Sequence, residues 1–253
     1  MFESLNPVEE QKTNLIFWYP VLQTIKMRTP KTVIVYSGDV DLEKLTDGER
    51  PENLDIFLNR MKAELKNFTL PVFIRTGMMS NKHDWKNSCY LEKEEDLLKH
   101  VSNIVETSII ANIGGFPFDY SFWVIREMLD TEPIFYSFSG EMPITKEFRF
   151  FIKDGDIKCH HPYWPEEAFA TMGRKIDKEE KIKLESIQKL DDEDKEVFQM
   201  AKYIAEYFKE YWSVDFLKTK DGTWYCIDMG VGDRSYHWPG CEYSNSIKKL
   251  AKK

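Results

Sequence analysis

The sequence predicts an α+β fold built on antiparallel sheets, and three observations carry that prediction. Two runs, Lys146–Lys158 and Ser213–Ser235, alternate apolar or aromatic residues with polar ones on both sides of an Asp-Gly pair, Asp154-Gly155 and Asp221-Gly222, so both read as hairpins. Apolar runs at Thr32–Ser37, Pro71–Arg75 and Phe122–Met128 read as buried strands. Between them, Leu54–Phe68, Glu92–Ser108 and Glu193–Tyr211 repeat apolar residues at helical spacing. A length of 253 residues suits one large domain or two small ones sharing a cleft. The expected division is a small N-terminal α/β region over 1–70 and a larger domain over 71–253.

Composition narrows the function classes. A formal charge of −8, from 35 basic against 43 acidic side chains, argues against nucleic acid or an anionic membrane as a general partner, because both need a basic face. No apolar stretch approaches the roughly 20 residues of a membrane span. The N-terminal MFESLNPVEEQ is acidic where a signal peptide is basic and then apolar. Cys89, Cys159, Cys226 and Cys241 are dispersed without a CxxC pair, so neither a disulfide framework nor a zinc knuckle is expected, and a cytoplasmic location is the default expectation. The four cysteines read as small buried residues rather than as catalysts.

In chain order, Asn14–Ile25 has helical spacing that Pro20 is expected to break. Leu54, Leu58, Met61, Leu65 and Phe68 share one face of an amphipathic helix. The strand over Pro71–Arg75 delivers a cation into Thr76–Trp85, which contains Gly77, hydroxyls and Lys82 but lacks P-loop spacing; it reads either as a solvated loop or as a phosphate cradle. After the next helix, Ile113–Pro117 is expected to break the chain direction. Arg126 sits in the following strand, either beside an adenine edge or paired with an acid. In the hairpin at Lys146, Glu147 and Arg149 alternate with Phe148 and Phe150, which puts charges on one face and rings on the other. His160 and His161 are neighbours on a strand and point to opposite faces, a poor chelate. Asp177–Tyr211 reads as helical, burying Val197, Met200, Ala201, Ile204 and Phe208 while its charge run forms a solvated face.

The second hairpin bears one acid on each strand. Asp215 and Asp228 lie at similar distances from the turn and are expected to fall roughly opposite each other. They are either ordinary strand-end acids facing water or a carboxylate pair whose mutual repulsion a divalent cation such as Mg²⁺ removes.

The ordered set of strands, loop and hairpins resembles the ATP-grasp superfamily, and more narrowly its divergent branch containing the eukaryotic cell-division-cycle protein that helps assemble translation initiation factor 2. The residues that carry the resemblance are Phe73-Ile74-Arg75, Ser80 to Trp85 (SNKHDW), Ile125 to Met128 (IREM), Glu147 to Ile152 (EFRFFI) and Ile227 to Gly230 (IDMG), spanning about Pro71 to Ser235; Thr29 to Thr32 resembles the PKT that commonly precedes the second strand of the region before such domains. The resemblance implies two α+β subdomains whose antiparallel sheets clasp ATP. It implies that Arg75 and Lys82, with Gly77, meet phosphate oxygens, that Arg126, Glu127, Met128, Leu129 and Asp130 line adenine and ribose, that Arg149 faces the phosphate end, and that Asp215 and Asp228 hold Mg²⁺. Lys82 and Arg149 are the expected catalytic cations. The family usually has Asn two residues after the second acid; here Gly230 stands there, so one ligand is lost unless Asp233 or water replaces it.

Most members of that superfamily activate a carboxylate as an acyl phosphate for attack by an amine or thiol. Expected partners are therefore ATP and an unidentified carboxylate and amine, with a protein or peptide among the candidates. The alternative implied by the same branch is an ATP-binding assembly factor or protein-binding module without turnover.

Overall fold

The computed structural model describes residues 9–113, 119–139, 141–171 and 174–244. Gly114–Pro117, expected to break the third helix, lie outside them. The chain divides into two compact units, and the first helix, α1 (Leu15–Thr24), contributes to both, with residues up to Phe17 in one and from Trp18 in the other. Contrary to the sequence expectation, α1 runs through Pro20 without a break. Proline removes one helical donor, but Leu15, Trp18 and Leu22 on either side of it are buried, and that burial holds the segment helical.

The first unit, mainly residues 30–129, contains β1 (Thr32–Tyr36), α2 (Leu54–Leu65), β2 (Val72–Thr76), β3 (Tyr90–Leu91), α3 (Leu97–Ile113) and β4 (Phe122–Glu127). Its antiparallel sheet has the order β1-β4-β2-β3, so β1, from the expected N-terminal region, lies beside β4, which in turn pairs with β2. Strand alternation then sorts the residues. Val35, Val72, Ile74, Trp123 and Ile125 join Phe57, Met61, Val101 and Ile104 of α2 and α3 in one core. Phe73, Arg75, Val124 and Arg126 fall on the other face of the sheet.

The second unit, mainly residues 143–253 with 18–29 and 130–137, contains β5 (Phe135–Ser137), most of β6 (Met142–Ile144), β7 (Glu147–Lys153), β8 (Asp156–Pro162), α4 (Glu166–Thr171), α5 (Lys178–Ile187), α6 (Lys195–Tyr207), β9 (Trp212–Lys218) and β10 (Trp224–Val231). β5 and β6 form a two-stranded sheet, while the four-stranded antiparallel sheet has the order β10-β9-β7-β8. The two expected hairpins are thus β7-β8 and β9-β10, joined edge to edge through β7 and β9. On one face, Phe148, Phe150 and Phe216 are buried; Phe150 meets Phe198 of α6 edge-on, with ring centroids 5.2 Å apart. His160 stacks on Phe150 on this face and His161 lies on the other, as strand alternation requires.

The acidic run before α6 is not wholly a solvated face. Asp194 has no exposed side-chain surface; it takes Lys146 Nζ at 2.6 Å, Lys218 Nζ at 2.7 Å and Trp224 Nε1 at 3.2 Å. Its burial is tolerated because each carboxylate oxygen is met by cations or donors from the ends of β7, β9 and β10. No helix among the described residues is long and apolar enough to cross a membrane.

Candidate functional site

In the second unit, the face of the sheet opposite α6 carries a row of side chains in register across all four strands. His161 of β8 pairs with Arg149 of β7, Arg149 with Asp215 of β9, and Asp215 with Asp228 of β10. Residues directly opposite in a sheet share a face, so the row presents an imidazole, a guanidinium and two carboxylates side by side. Local sequence does not by itself put Asp228 there. Cys226 opposes Phe216, and Asp228, not Ile227, opposes Asp215, because a bulge absorbs Ile227. Without the bulge Asp228 would oppose Val214 and point toward the aromatic face. At the bulged edge, the Cys226 amide donates to the Arg28 carbonyl at 2.9 Å, which satisfies a group the sheet leaves over.

Arg149 is bound to Asp215 by two parallel hydrogen bonds, Nε to Oδ1 at 2.7 Å and Nη2 to Oδ2 at 2.8 Å. Tyr163 lies under its guanidinium, 4.7 Å from carbon to ring centroid. Burial opposes the charge on Arg149, but attraction and hydrogen bonding from Asp215 outweigh it and raise the pKa. Strand alternation places Glu147 and Arg149 on one face, as expected, yet the acid that grips Arg149 comes from 66 residues further along the chain. His161 is held neutral: burial, then the positive partners His237, His160 and Arg149, push it down to about 4.

Asp228 Oδ1 accepts its neighbouring Met229 amide at 3.1 Å. Gly230 pairs with Ser213 within β10 and offers no side-chain ligand. Asp233 lies in the short 3-10 turn Gly232–Arg234, where its charge bears on Tyr211 and His237.

The cations expected to meet phosphate belong to the first unit. Arg75 of β2 and Arg126 of β4 share the sheet face opposite α2 and α3 and are diagonal neighbours, each 5% exposed. Arg75 Nε donates to the Thr76 carbonyl at 3.0 Å, and Arg126 Nε to Thr32 Oγ1 at 3.1 Å. Glu127 accepts the Lys31 amide at 2.6 Å, anchoring the strand end that leads to Met128 and Leu129, both half-buried. Asp130 is exposed, belongs to the second unit and accepts the Lys220 amide through its carbonyl at 2.9 Å.

In the loop after β2, Gly77 is fixed by a close approach: a Cβ there would lie 2.0 Å from Asn14 Oδ1. The amides of Met78 and Met79 turn inward onto Thr76 Oγ1, at 3.3 and 2.9 Å, so these two amides are committed to the turn itself. Lys82 follows, half-buried, beside His83, whose ring stacks on Phe138.

A second group is invisible to motif spacing. Cys159, His161, His237 and Cys241 place their ligand atoms within 4.8 Å of one another, although no CxxC pair announces them. Their signal is split: Cys-x-His at strand spacing in one segment, and His-x3-Cys 76 residues after His161 in another. Cys89 and Cys226 are buried small residues as expected, whereas Cys159 and Cys241 are only half-buried.

Two α+β units, each with a helix-covered face and a charged face on an antiparallel sheet, define an ATP-grasp fold. The chain belongs to a family of ATP-grasp domains, family 3 of its clade, whose model matches residues 64–250. The fold is similar to that of C-terminally truncated Cdc123 from Schizosaccharomyces pombe, with a TM-score of 0.58 and 15% identity over 90% of this chain and 87% of that one. It is also similar to a RimK domain ATP-grasp protein from Sphaerobacter thermophilus (TM-score 0.51, 8% identity, 98% of this chain and 71% of that one). A third likeness is to D-alanyl-alanine synthetase A from Vibrio cholerae (TM-score 0.51, 11% identity), of which 61% is covered by 95% of this chain. No curated protein matches by sequence.

Proposed function

We propose that the chain is an ATP- and Mg²⁺-dependent ligase that joins a carboxylate to an amine through an acyl phosphate, working in the cytoplasm, where both ATP and Mg²⁺ are supplied. The ATP-grasp domain in this reading covers 71–253, and the preceding region 1–70 lends β1 to its first sheet. The observation that carries the proposal is the row Arg149–Asp215–Asp228 on the helix-free face of the second sheet. Two carboxylates opposed across one strand pair suit a hard divalent cation, which binds through one or two carboxylates and keeps positions for water and phosphate. Asp215 and Asp228 would hold Mg²⁺, which when bound supplies charge neutralisation at phosphoryl oxygens.

Arg149 screens the acid pair by holding both oxygens of Asp215, and its planar fork suits phosphate oxygens equally well. Arg75, Lys82 and Arg126 supply the positive charge that a triphosphate requires, Gly77 brings backbone close to it, and Glu127, Met128, Leu129 and Asp130 serve the adenine and ribose. Lys82 and Arg149 stabilise charge spreading over the transferring phosphoryl group, and the remaining work of the protein is positioning. No nucleophilic side chain is required.

A second reading, nucleotide binding that supports an assembly without turnover, is favoured by two observations: Arg149 occupies both oxygens of Asp215, and Gly230 lacks a ligand side chain. Calorimetric titration of ATP with and without MgCl₂, followed by measurement of ADP release against a panel of carboxylates and amines, separates the readings. Mg²⁺-dependent binding with substrate-dependent ADP release supports the ligase. Binding without release across the panel supports the second reading, and no Mg²⁺-dependent binding removes both.

A further inference from the structure

Strand alternation puts Cys159 and His161, two residues apart on β8, on the same face of the second sheet. The segment after β10 returns to that face and brings His237 and Cys241, four residues apart. Trp238 Nε1 donates to the Pro162 carbonyl at 2.8 Å and ties the return to the end of β8. Cys159 Sγ lies 3.6 Å from His237 Nδ1, and His237 Nδ1 lies 3.4 Å from His161 Nε2. A tetrahedral zinc ion, with Zn–S of about 2.3 Å and Zn–N of about 2.0–2.1 Å, needs S–N edges of about 3.5 Å and N–N edges of about 3.3 Å. The separations agree with those edges without movement of either imidazole.

The ring of His237 is fixed as a ligand requires. It stacks on Phe151 at 3.6 Å between centroids, is 5% exposed, and its Nε2 meets the Tyr211 hydroxyl at 2.9 Å. With Nε2 engaged by Tyr211, Nδ1 is the nitrogen turned to the two thiols and His161, the outer-shell arrangement that orients metal-bound histidines. Tyr211 is itself seated by Gly232, where a Cβ would come within 2.6 Å of its ring and whose amide donates to the Tyr211 carbonyl at 2.8 Å.

We propose that Cys159, His161, His237 and Cys241 form a structural zinc site that pins the segment following β10 onto β8. Four protein ligands close the coordination sphere, which marks the site as structural and not catalytic. Binding of Zn²⁺ releases the two thiol protons and leaves both imidazoles neutral. The proposal is independent of nucleotide chemistry: it stands or falls without ATP.

The test uses the full chain, produced without a metal-binding tag and kept reduced. Elemental analysis is expected to find about one zinc per chain, and titration of chelator-treated protein with Co²⁺ is expected to give the intense visible absorption of a tetrahedral thiolate site. Chelation is expected to lower the melting temperature by at least about 5 °C, reversed by added Zn²⁺. Cys159→Ser and His237→Gln should each lose most of the metal. A folded wild-type chain with no zinc and no cobalt spectrum overturns the proposal, as does unchanged zinc content in folded variants. A Cys159–Cys241 disulfide found by mass spectrometry in the protein as isolated, before reductant is added, also overturns it. Should the variants not fold, the wild-type cobalt titration alone decides.

Discussion

Asp228 is the residue on which the nucleotide reading turns. It opposes Asp215 on the face that carries Arg149, and its removal leaves the bidentate Arg149–Asp215 pair intact. Asp228→Ala is therefore expected to abolish Mg²⁺-dependent nucleotide affinity while circular dichroism and melting stay close to wild type; unchanged affinity in that variant removes the metal assignment. Gly77 makes the opposite kind of prediction, one of stability. A methyl group at 2.0 Å from Asn14 Oδ1 must displace a side chain that is itself buried and bonded to Asp119, so Gly77→Ala should cost about 1–3 kcal/mol in denaturant unfolding. Retention of wild-type stability would mean that the Asn14 side chain gives way freely.

At the scale of elements, one bulge and one buried acid organise the second sheet. The bulge absorbs Ile227 and so turns Asp228 to the face of Asp215. Exchanging the two residues, Ile227→Asp with Asp228→Ile, keeps composition and length but moves the carboxylate out of the row. The expected result is at least a tenfold loss of Mg²⁺-dependent ATP affinity by calorimetry, and wild-type affinity would show that the register is immaterial.

Asp194 joins the start of α6 to the ends of β7, β9 and β10 through Lys146, Lys218 and Trp224. Burial works against its charge, but the hydrogen bonds from the two lysines prevail and lower its pKa. A carboxyl whose folded pKa lies below its unfolded value of about 3.9 adds stability that is fully present well above pH 4 and disappears as pH falls through the folded pKa. Asp194→Asn should cost about 3 kcal/mol near neutral pH, because it strands two partly buried ammonium groups, and the difference from wild type should shrink in acid. Urea unfolding of both proteins at pH 7 and pH 3 measures it; an equal difference at both pH values rules the charge out as the cause.

For the whole molecule, membership of the ATP-grasp family gives each unit a sheet with one helix-covered face and one charged face. If both charged faces serve one nucleotide, ATP must stabilise the folded chain only when Mg²⁺ is present. At 100 times the dissociation constant the gain is about 2.7 kcal/mol, which for a chain of this size corresponds to a rise of about 5–10 °C in melting temperature. Arg75→Ala in the first unit and Asp228→Ala in the second should each remove that rise; a rise that survives either change assigns the nucleotide to one unit alone.

The amino-acid sequence by itself determined the elements, their inner faces and the family. Phe148 and Phe150 against Arg149, the buried stripe of α6, and the two Asp-Gly hairpins are written in periods of two or 3.6 residues, and such periods are legible within a single segment. The same locality explains why Pro20 and the acidic run at Asp194 depart from expectation, since their neighbours in sequence say nothing of what buries them. Only the tertiary structure decided that Arg149 grips Asp215 and not Glu147, that a bulge brings Asp228 into the row, and that Cys159 and His161 meet His237 and Cys241. Those partners lie some 66 to 78 residues apart along the chain, and what joins them is strand register and loop closure, which no local period encodes.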